Sequence, residues 1–403
     1  MMRSVPGLRT VEEHRALIDG LISRTPTVMT PLSQAAGRAL GAEVDAPIPL
    51  PPFDNSAVDG YAVHVADLVG AGPDAVVHLP VARVIAAGDG TREKLRAGTV
   101  ARIMTGAPIP AGADAVVPVE DARYDGTEAV FGSPSRAGAN MRRTGEDVMP
   151  PERLFDAGTV LTPSRIGLLA ASGLGRVLVH RRIRVAVVST GAEIVDAATL
   201  LRHGRIHDSN SALLSAAVED CGAELVACIA LPDSVNQLRS HLAELGACAD
   251  VVITSGGVSA GDHEVVKQTL MPYGVRFAGV AMSPGRPQGA GTAFGTTLLT
   301  FPGNPLAAYA SFELLARPIL RRAMGLVPDN RPTLRVPLAH PLPRKCGRHT
   351  LDLAIGRPDG SIAMLTGSGK HGLGAAREAG YLVELNGAVP SLDAGETVTA
   401  TVL

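Results

Sequence analysis

The sequence predicts a multidomain chain of mixed α/β and β architecture. A doubly wound α/β domain covers 181–327, and a C-terminal β-barrel covers 328–403. A small β domain over 53–137 is inserted into a helical and extended domain made of 1–52 and 138–180. Three observations predict this. Between 182 and 325, apolar strands alternate with capped helices, the pattern of parallel βαβ units. Between 53 and 137, short strands are separated by glycine turns and helical periodicity is absent. After Pro328 the helices stop, and Thr397 to Leu403 (TVTATVL) alternates strictly.

The elements follow in order. Thr10 to Glu13 (TVEE) reads as a capping box, and His14, Leu17, Ile18, Leu21 and Ile22 recur at helical spacing. Thr30-Pro31 is expected to open a second helix that Gly41 closes. Pro47 to Pro52 (PIPLPP) is stiff and extended, suited to a domain boundary. The inserted domain then offers YAVHV, VVHLPVARVI, TVARIM and AVVPVE as strands, after which Leu168 to Gly173 (LLAASG) returns as a short helix. In the α/β region, RIRVAVVST, ELVACIAL, DVVITSGG and TTLLTF read as strands. A helix capped by Ser209 or Asn210 runs to Gly222, and another runs from Ser234 to Gly246. A third, with proline at its first position, spans Pro305 to Met324. RHTLDLAI and YLVEL are further strands of the final domain.

Composition excludes several functions. Lysine plus arginine number 37 against 39 acids, a net charge of −2, which argues against a general nucleic-acid or anionic-membrane binder. Aromatic residues are 3% and tryptophan is absent, so platforms for stacking exposed bases are not expected. Cys221, Cys228, Cys248 and Cys346 form no CxxC pair and read as buried thiols in a reducing compartment. With no signal-like N-terminus and no apolar run near membrane-spanning length, the expected location is cytoplasmic.

In open α/β sheets, ligands bind beyond the carboxyl ends of strands. Three such ends carry chemistry: Ser189-Thr190-Gly191 with Glu193; Thr254 to Asp262 (TSGGVSAGD); and Phe301-Pro302-Gly303-Asn304-Pro305, which leads into a helix. Any one alone is an ordinary turn. Together they favour an anionic ligand, since glycines admit phosphate to the backbone and helix N-termini attract it. No Walker A lysine motif is present, and no dinucleotide glycine fingerprint follows the first strand. The inserted domain adds a polar cluster, Asp54 to Ala62 (DNSAVDGYA), and the corners Thr105-Gly106-Ala107-Pro108 and Gly145-Glu146-Asp147. Acids spread over two domains, beside a phosphate-friendly sheet, suggest Mg²⁺ bridged to a phosphorylated substrate.

PPFDNSAVDGYAV, RIMTGAPIPAGADAVVPVED, GANMRRTGEDV, STGAEI, IHDSN, DVVITSGGVSAGD, SPGRP and FPGNP occur in the order of the MoeA family. The chain thus resembles the molybdopterin molybdenumtransferases and the C-terminal region of gephyrin over nearly its whole length. Its α/β part is also similar to the MogA-like pterin adenylyltransferases and to CinA-like proteins. The resemblance implies an elongated four-domain subunit, a MogA-like fold for the α/β domain, and a homodimer whose cleft combines both chains. It implies insertion of molybdate into the dithiolene of adenylylated molybdopterin, with Mg²⁺-dependent loss of AMP. Alternatives are a catalytically weak molybdopterin-binding or scaffold paralogue, or the adenylyltransferase step itself. A molybdopterin adenylyltransferase and molybdoenzymes or their chaperones are implied as partners.

Carried over by position, the resemblance implies catalytic roles for Asp59, Thr105, Asp147 and Glu193. It implies ligand-binding roles for Ser189, Thr190, Gly191, Asp208, Ser255, Gly256, Gly257, Ser259 and Asp262, and likewise for Arg286, Pro302, Asn304 and Arg348. Metal contacts are implied for Asp233, Glu264 and Glu193. The chain departs from the family at Ala192, where an acid is usual, and at Ser283 and Gly279, where lysines occur. Arg286, with Lys267 nearby in sequence, carries the remaining positive charge there. Independently of the resemblance, a first domain of about 90 residues in two segments is small enough that packing against a second copy is expected.

Overall fold

The computed structural model describes residues 7–258, 264–327, 331–344, 347–365 and 372–403. The chain divides into two compact units. One comprises residues 31–36 and 42–177. The other takes in the N-terminal segment up to residue 30, residues 37–41, and the chain from 178 onward. No helix among the described residues is long and apolar enough to cross a membrane.

The first unit is built on a six-stranded sheet. Its order is Ala115–Pro118, Gly60–Val63, Val100–Ile103, Val77–Ile85, Glu128–Phe131 and Ala122–Tyr124. Period-two alternation divides its side chains between two cores. Tyr61, Val63, Val100, Ala115 and Val117 face one; Ala62, Ala101, Ile103 and Val116 face the other. Gly60–Val63 is buried throughout because both its faces are covered. Gly60 permits this: a Cβ there would overlap the Val117 carbonyl oxygen and come within 2.8 Å of Val116 Cγ1. The helix expected near LLAASG runs from Pro163–Ala171, capped by Thr162.

In the second unit, the Thr10 capping box is present with both bonds. Glu13 N–H donates to Thr10 Oγ1 at 3.0 Å, and Thr10 N–H to Glu13 Oε2 at 2.8 Å. The helix Val11–Asp19 packs on Phe312–Ala316, Arg317–Ala323 and Pro287–Ala293, so it stands with the α/β domain rather than with 138–180. The helix expected from Thr30 to Gly41 does not form. Thr27–Pro31 is a strand followed by a single 3₁₀ turn, Leu32–Gln34. Farther along, Leu40 bridges Val179, and Arg38 donates to the His180 carbonyl at 3.1 and 3.0 Å. Tertiary pairing overrides the Pro31 helix signal.

The α/β sheet runs Glu224–Leu231, Arg184–Thr190, Val251–Ser255, Thr296–Phe301, Pro287–Ala293 and Arg276–Gly279. The first four strands are parallel, as expected, and Pro287–Ala293 runs antiparallel to both its neighbours, Thr296–Phe301 and Arg276–Gly279. Ser234 caps Val235–Leu245 as expected. The preceding helix, Ser209–Asp220, is capped by Asp208 rather than Ser209 or Asn210. The expected helix Pro305 to Met324 is three pieces: Pro305–Ser311, a π turn Phe312–Ala316, and Arg317–Ala323. Pro318 has no N–H for the Leu314 carbonyl one turn back, and Arg15 Nε donates to that oxygen instead. Within the π turn, the buried Glu313 is paired with Arg317 and Arg331, each at 2.8 Å.

The C-terminal strands Thr333–Pro337, His349–Gly356, Ile362–Met364, Tyr381–Leu385 and Thr397–Val402 wrap Leu338, Ala354, Val383 and Val398. The bridge Leu338↔Ile362 joins the chain just after Thr333–Pro337 to Ile362–Met364, which itself pairs with His349–Gly356, so the strands curl back on themselves as in a small barrel. This sheet also recruits Met282–Ser283, which pairs with His349 and Thr350, so it is not confined to residues after 327. Two of the four cysteines depart from expectation. Cys221 is buried, and its burial pushes the thiol up to about 11, but Cys228 and Cys248 are exposed. Cys346 lies outside the described residues.

Gly60→Ala is expected to destabilise the protein by roughly 1–3 kcal/mol through overpacking against Val117. Thermal unfolding checks this, and a mutant melting with the wild type would contradict the close approach at Gly60.

Candidate active site

The four parallel strands end level with one another. Ser189 is in register with Ser255, Ser255 with Phe301, and Thr190 with Leu231. The loops that follow line a cavity of about 620 Å³. Into it the structure brings Ser189, Thr190, Gly191, Glu193, Asp208 and Asp233, together with Ser255, Gly256, Gly257, Glu264, Pro302 and Asn304. Ser259 and Asp262 lie outside the described residues. Arg286 and Arg348 are not among the residues lining the cavity.

Gly256 and Gly257 hold left-handed φ angles of 95° and 63°. A Cβ on Gly256 would overlap the Thr190 carbonyl oxygen, and one on Gly257 would lie 2.8 Å from Val266 Cγ2. Only glycine lets the backbone pass between the strand ends and the helix Val265–Leu270. Asn304 caps Pro305–Ser311 by accepting from Ala307 N–H at 3.0 Å. Asp208 caps Ser209–Asp220, accepting from Ser211 N–H at 3.0 Å and Ser211 Oγ at 2.6 Å. Asp208 also accepts from Ser189 Oγ at 3.1 Å. Capped helix N-termini opening on one cavity favour an anion.

Sequence reasoning missed Asn210 except as a cap. Its Nδ2 donates to Ser255 Oγ at 2.7 Å and to the Gly303 carbonyl at 2.8 Å, tying two strand-end loops together. The IHDSN motif was the available signal. Also missed was the ribbon of Ile194–Val195 and Ile206–His207 that forms one wall. The buried hydroxyl of Thr190 and Oδ1 of Asn210 have no hydrogen-bond partner. Four carboxylates line the cavity (Glu193, Asp208, Asp233 and Glu264), and no lysine or arginine does among the described residues. Asp233 accepts from Ala192 N–H at 3.0 Å. Their hard oxygens suit Mg²⁺, which takes one or two carboxylates and completes its shell with phosphate and water.

Asp59, Thr105 and Asp147 lie in the other unit. Three motif segments meet there through Asn55–Ser56, which pairs with Met141–Arg142 on one side and bridges Pro108 on the other. Thr105 N–H and Oγ donate to Asp59 Oδ1 at 2.7 and 2.8 Å. Asp54 is held in the same way by Thr144, at 2.8 Å from both N–H and Oγ, and by Arg143 at 2.7 Å. Asp147 is exposed three residues after Thr144, its N–H donating to the Leu50 carbonyl at 2.9 Å. The Thr105 amide, and then its hydroxyl, keep the exposed Asp59 carboxyl below its usual 3.8.

Fold and site define an α/β protein with an acid-lined strand-end cavity built for an anionic ligand, joined in one chain to an inserted β domain presenting further acids. Residues 9–173 match the family described as MoeA N-terminal region (domain I and II), and residues 186–322 match the family described as probable molybdopterin binding domain. Molybdopterin molybdenumtransferase 2 of Mycobacterium tuberculosis is 44% identical over 86% of this chain and 88% of its own length. The molybdopterin molybdenumtransferase of Haemophilus influenzae is 35% identical over 78% of each chain. The crystal structure of the molybdopterin biosynthesis MoeA protein from Pyrococcus horikoshii superposes with a TM-score of 0.79 at 29% identity, covering 98% of this chain and 99% of that one. The chain belongs to the molybdopterin molybdenumtransferase (MoeA) family.

A depressed pKa means the carboxylate form is favoured, and the titration midpoint of Asp59 lies below the usual 3.8. Thr105→Val removes the hydroxyl bond and keeps the amide bond. The Asp59 midpoint, followed by carboxyl ¹³C NMR, is expected to move upward toward 3.8.

Proposed function

We propose that the protein inserts molybdate into the dithiolene of adenylylated molybdopterin and releases AMP, acting in the cytoplasm in molybdenum cofactor biosynthesis. The observation that carries this reading is the cavity at the strand ends. Helix N-termini and glycine loops there suit a phosphorylated ligand, while four acids without a lysine or arginine call for a divalent cation beside it.

The chain's own groups divide the work. Amides of the Gly256-Gly257 loop and of the helix capped by Asn304 hold phosphate oxygens. Ser189 and Ser211, locked on Asp208, keep that wall rigid. Glu193, Asp233 and Glu264 would hold Mg²⁺, which when bound supplies positive charge to the phosphate bond that breaks. Arg286 is exposed, has no side-chain partner among the described residues, and stacks over Gly279, where a Cβ would lie 3.4 Å from its Nε. It is the cation proposed to meet molybdate, since its fork suits two oxygens of an oxyanion.

A homodimer is proposed to complete the site with Asp59 of the partner subunit. A molybdopterin adenylyltransferase supplies the substrate, and molybdoenzymes or their chaperones receive the product.

Asp59→Asn is expected to abolish molybdate-dependent AMP release while leaving the melting temperature unchanged, because Asp59 is exposed. Mixing this chain with a Glu193→Gln chain is expected to restore roughly a quarter to half of the sites. Absence of rescue, or a monomer by light scattering, contradicts the shared site. Arg286→Ala is expected to raise the molybdate concentration for half-maximal AMP release by about tenfold, the equivalent of about 1.4 kcal/mol. Ser283→Lys is expected to lower it. If neither variant moves that midpoint, the oxyanion lies elsewhere.

A further inference from the structure

A second cavity, of about 410 Å³, lies at the opposite edge of the same sheet. Arg184 and Thr296 begin their strands there, and Asp250 immediately precedes a third. The intervening strands are five to seven residues long. At about 3.3 Å per residue they separate this edge from the acidic cavity by roughly 20 Å.

The charge of this cavity is opposite. Arg24, Arg181 and Arg184 line it, and Asp250 is its sole acid among the described residues. Asp250 takes Arg181 through both Nη atoms at 2.8 and 3.1 Å. It takes Arg184 through Nη2 at 2.9 Å and through its backbone N–H at 2.8 Å. Burial alone would raise its carboxyl, but the bonds from Arg181 and Arg184 prevail and hold it at about 2. Asp250 is therefore a fixed single charge against three guanidiniums that never deprotonate. Glu224 also acts on Arg184, and with it counted the group still keeps an excess positive charge.

Donors remain to be used. Arg24 is exposed, and its side chain has no partner among the described residues. Of Arg184's nitrogens, Nη1 is not engaged by Asp250, and neither is Nε of Arg181. Thr296, 3% exposed and part of the lining, has a hydroxyl with no hydrogen-bond partner. Among the described residues no aromatic side chain lines the cavity, so a nucleotide base would find none of them to stack on.

We propose that this basin binds a phosphate group, free or on a compact non-aromatic carrier, with Arg24 as the capturing side chain and the Arg181–Asp250–Arg184 clamp as its rigid wall. Arginine forks match phosphate through paired, charge-assisted hydrogen bonds. The site is independent of the acidic cavity and of the reaction proposed for it.

Calorimetric titration of the full-length protein with inorganic phosphate, and separately with glycerol 3-phosphate, tests the assignment. Saturable binding of either is expected, weakened roughly tenfold or more by Arg24→Glu and partly restored by Arg24→Lys. The tighter of the two probes identifies the source of the phosphate. Arg184→Gln is expected to weaken binding too; because it loosens the clamp, its melting curve is recorded alongside, and the Arg24 variants decide the question. No saturation by either probe in the millimolar range, or equal affinity in wild type and Arg24→Glu, overturns the proposal.

Discussion

The register of four parallel strands is the constraint on which the site depends. Pairing Ser189 with Ser255 and Ser255 with Phe301 makes the strands end together, so the turns that follow open on one ledge. A slip of one residue would turn Ser189 and Ser255 to the other face of the sheet and break their bonds to Asp208 and Asn210. Asp250 pins the opposite ends. Its carboxylate accepts the N–H of Arg184 at the start of one strand, while it immediately precedes the neighbouring strand. One half-buried ion cluster and one ladder thus set the positions of loops far apart in sequence.

The four acids of the cavity are not equivalent. Asp208 spends its oxygens on Ser189, Ser211 and a helix N-terminus, so it is part of the wall. Asp233 gives one oxygen to Ala192 and keeps another. Glu193 and Glu264 make no side-chain hydrogen bond among the described residues, although Glu264 stands at a helix N-terminus where capping is available. Two unit charges 4 Å apart interact by about 4 kcal/mol at an effective dielectric of 20. Uncommitted carboxylates on one wall therefore repel an anion at that distance unless a cation lies between them. The same electrostatics separates the two cavities of the sheet, one acidic at the carboxyl ends and one basic at the amino ends.

Much of this was legible in the sequence because local signals and tertiary structure agreed. Glu224–Leu231 and Tyr381–Leu385 fall on the expected strands, and the Thr10 capping box forms as written. The failures share a cause: a distant partner decided the local conformation. Pro31 signals a helix start, but the segment after it pairs with 178–180. The helix after Asn304 loosens into a π turn, its buried Glu313 paired with Arg331 of a later segment. Met282–Ser283 joins a barrel whose other strands begin about fifty residues later. At the site, residue types in motifs were readable. What Asn210 ties together, and the absence of Arg286 and Arg348 from the cavity lining, depend on three-dimensional placement that no spacing encodes.

The inserted domain shows how an acid can be presented rigidly without being buried. Gly60–Val63 is covered on both faces, and Gly60 lets Val117 close over its start. The carbonyl of Asp59 accepts from Val119 N–H at 3.1 Å, so the backbone is fixed immediately before the strand enters the core. Its side chain can only project outward, and Thr105 then fixes one carboxylate oxygen with two donors. Packing therefore determines where the charge sits, and hydrogen bonding determines that it remains a charge. Asp54 repeats the device with Thr144 nearby. A fold that spends buried strand pairing and threonine donors on two neighbouring acids, one exposed and one half-buried, holds both in place, and preformed groups of this kind lower the ordering cost of any binding.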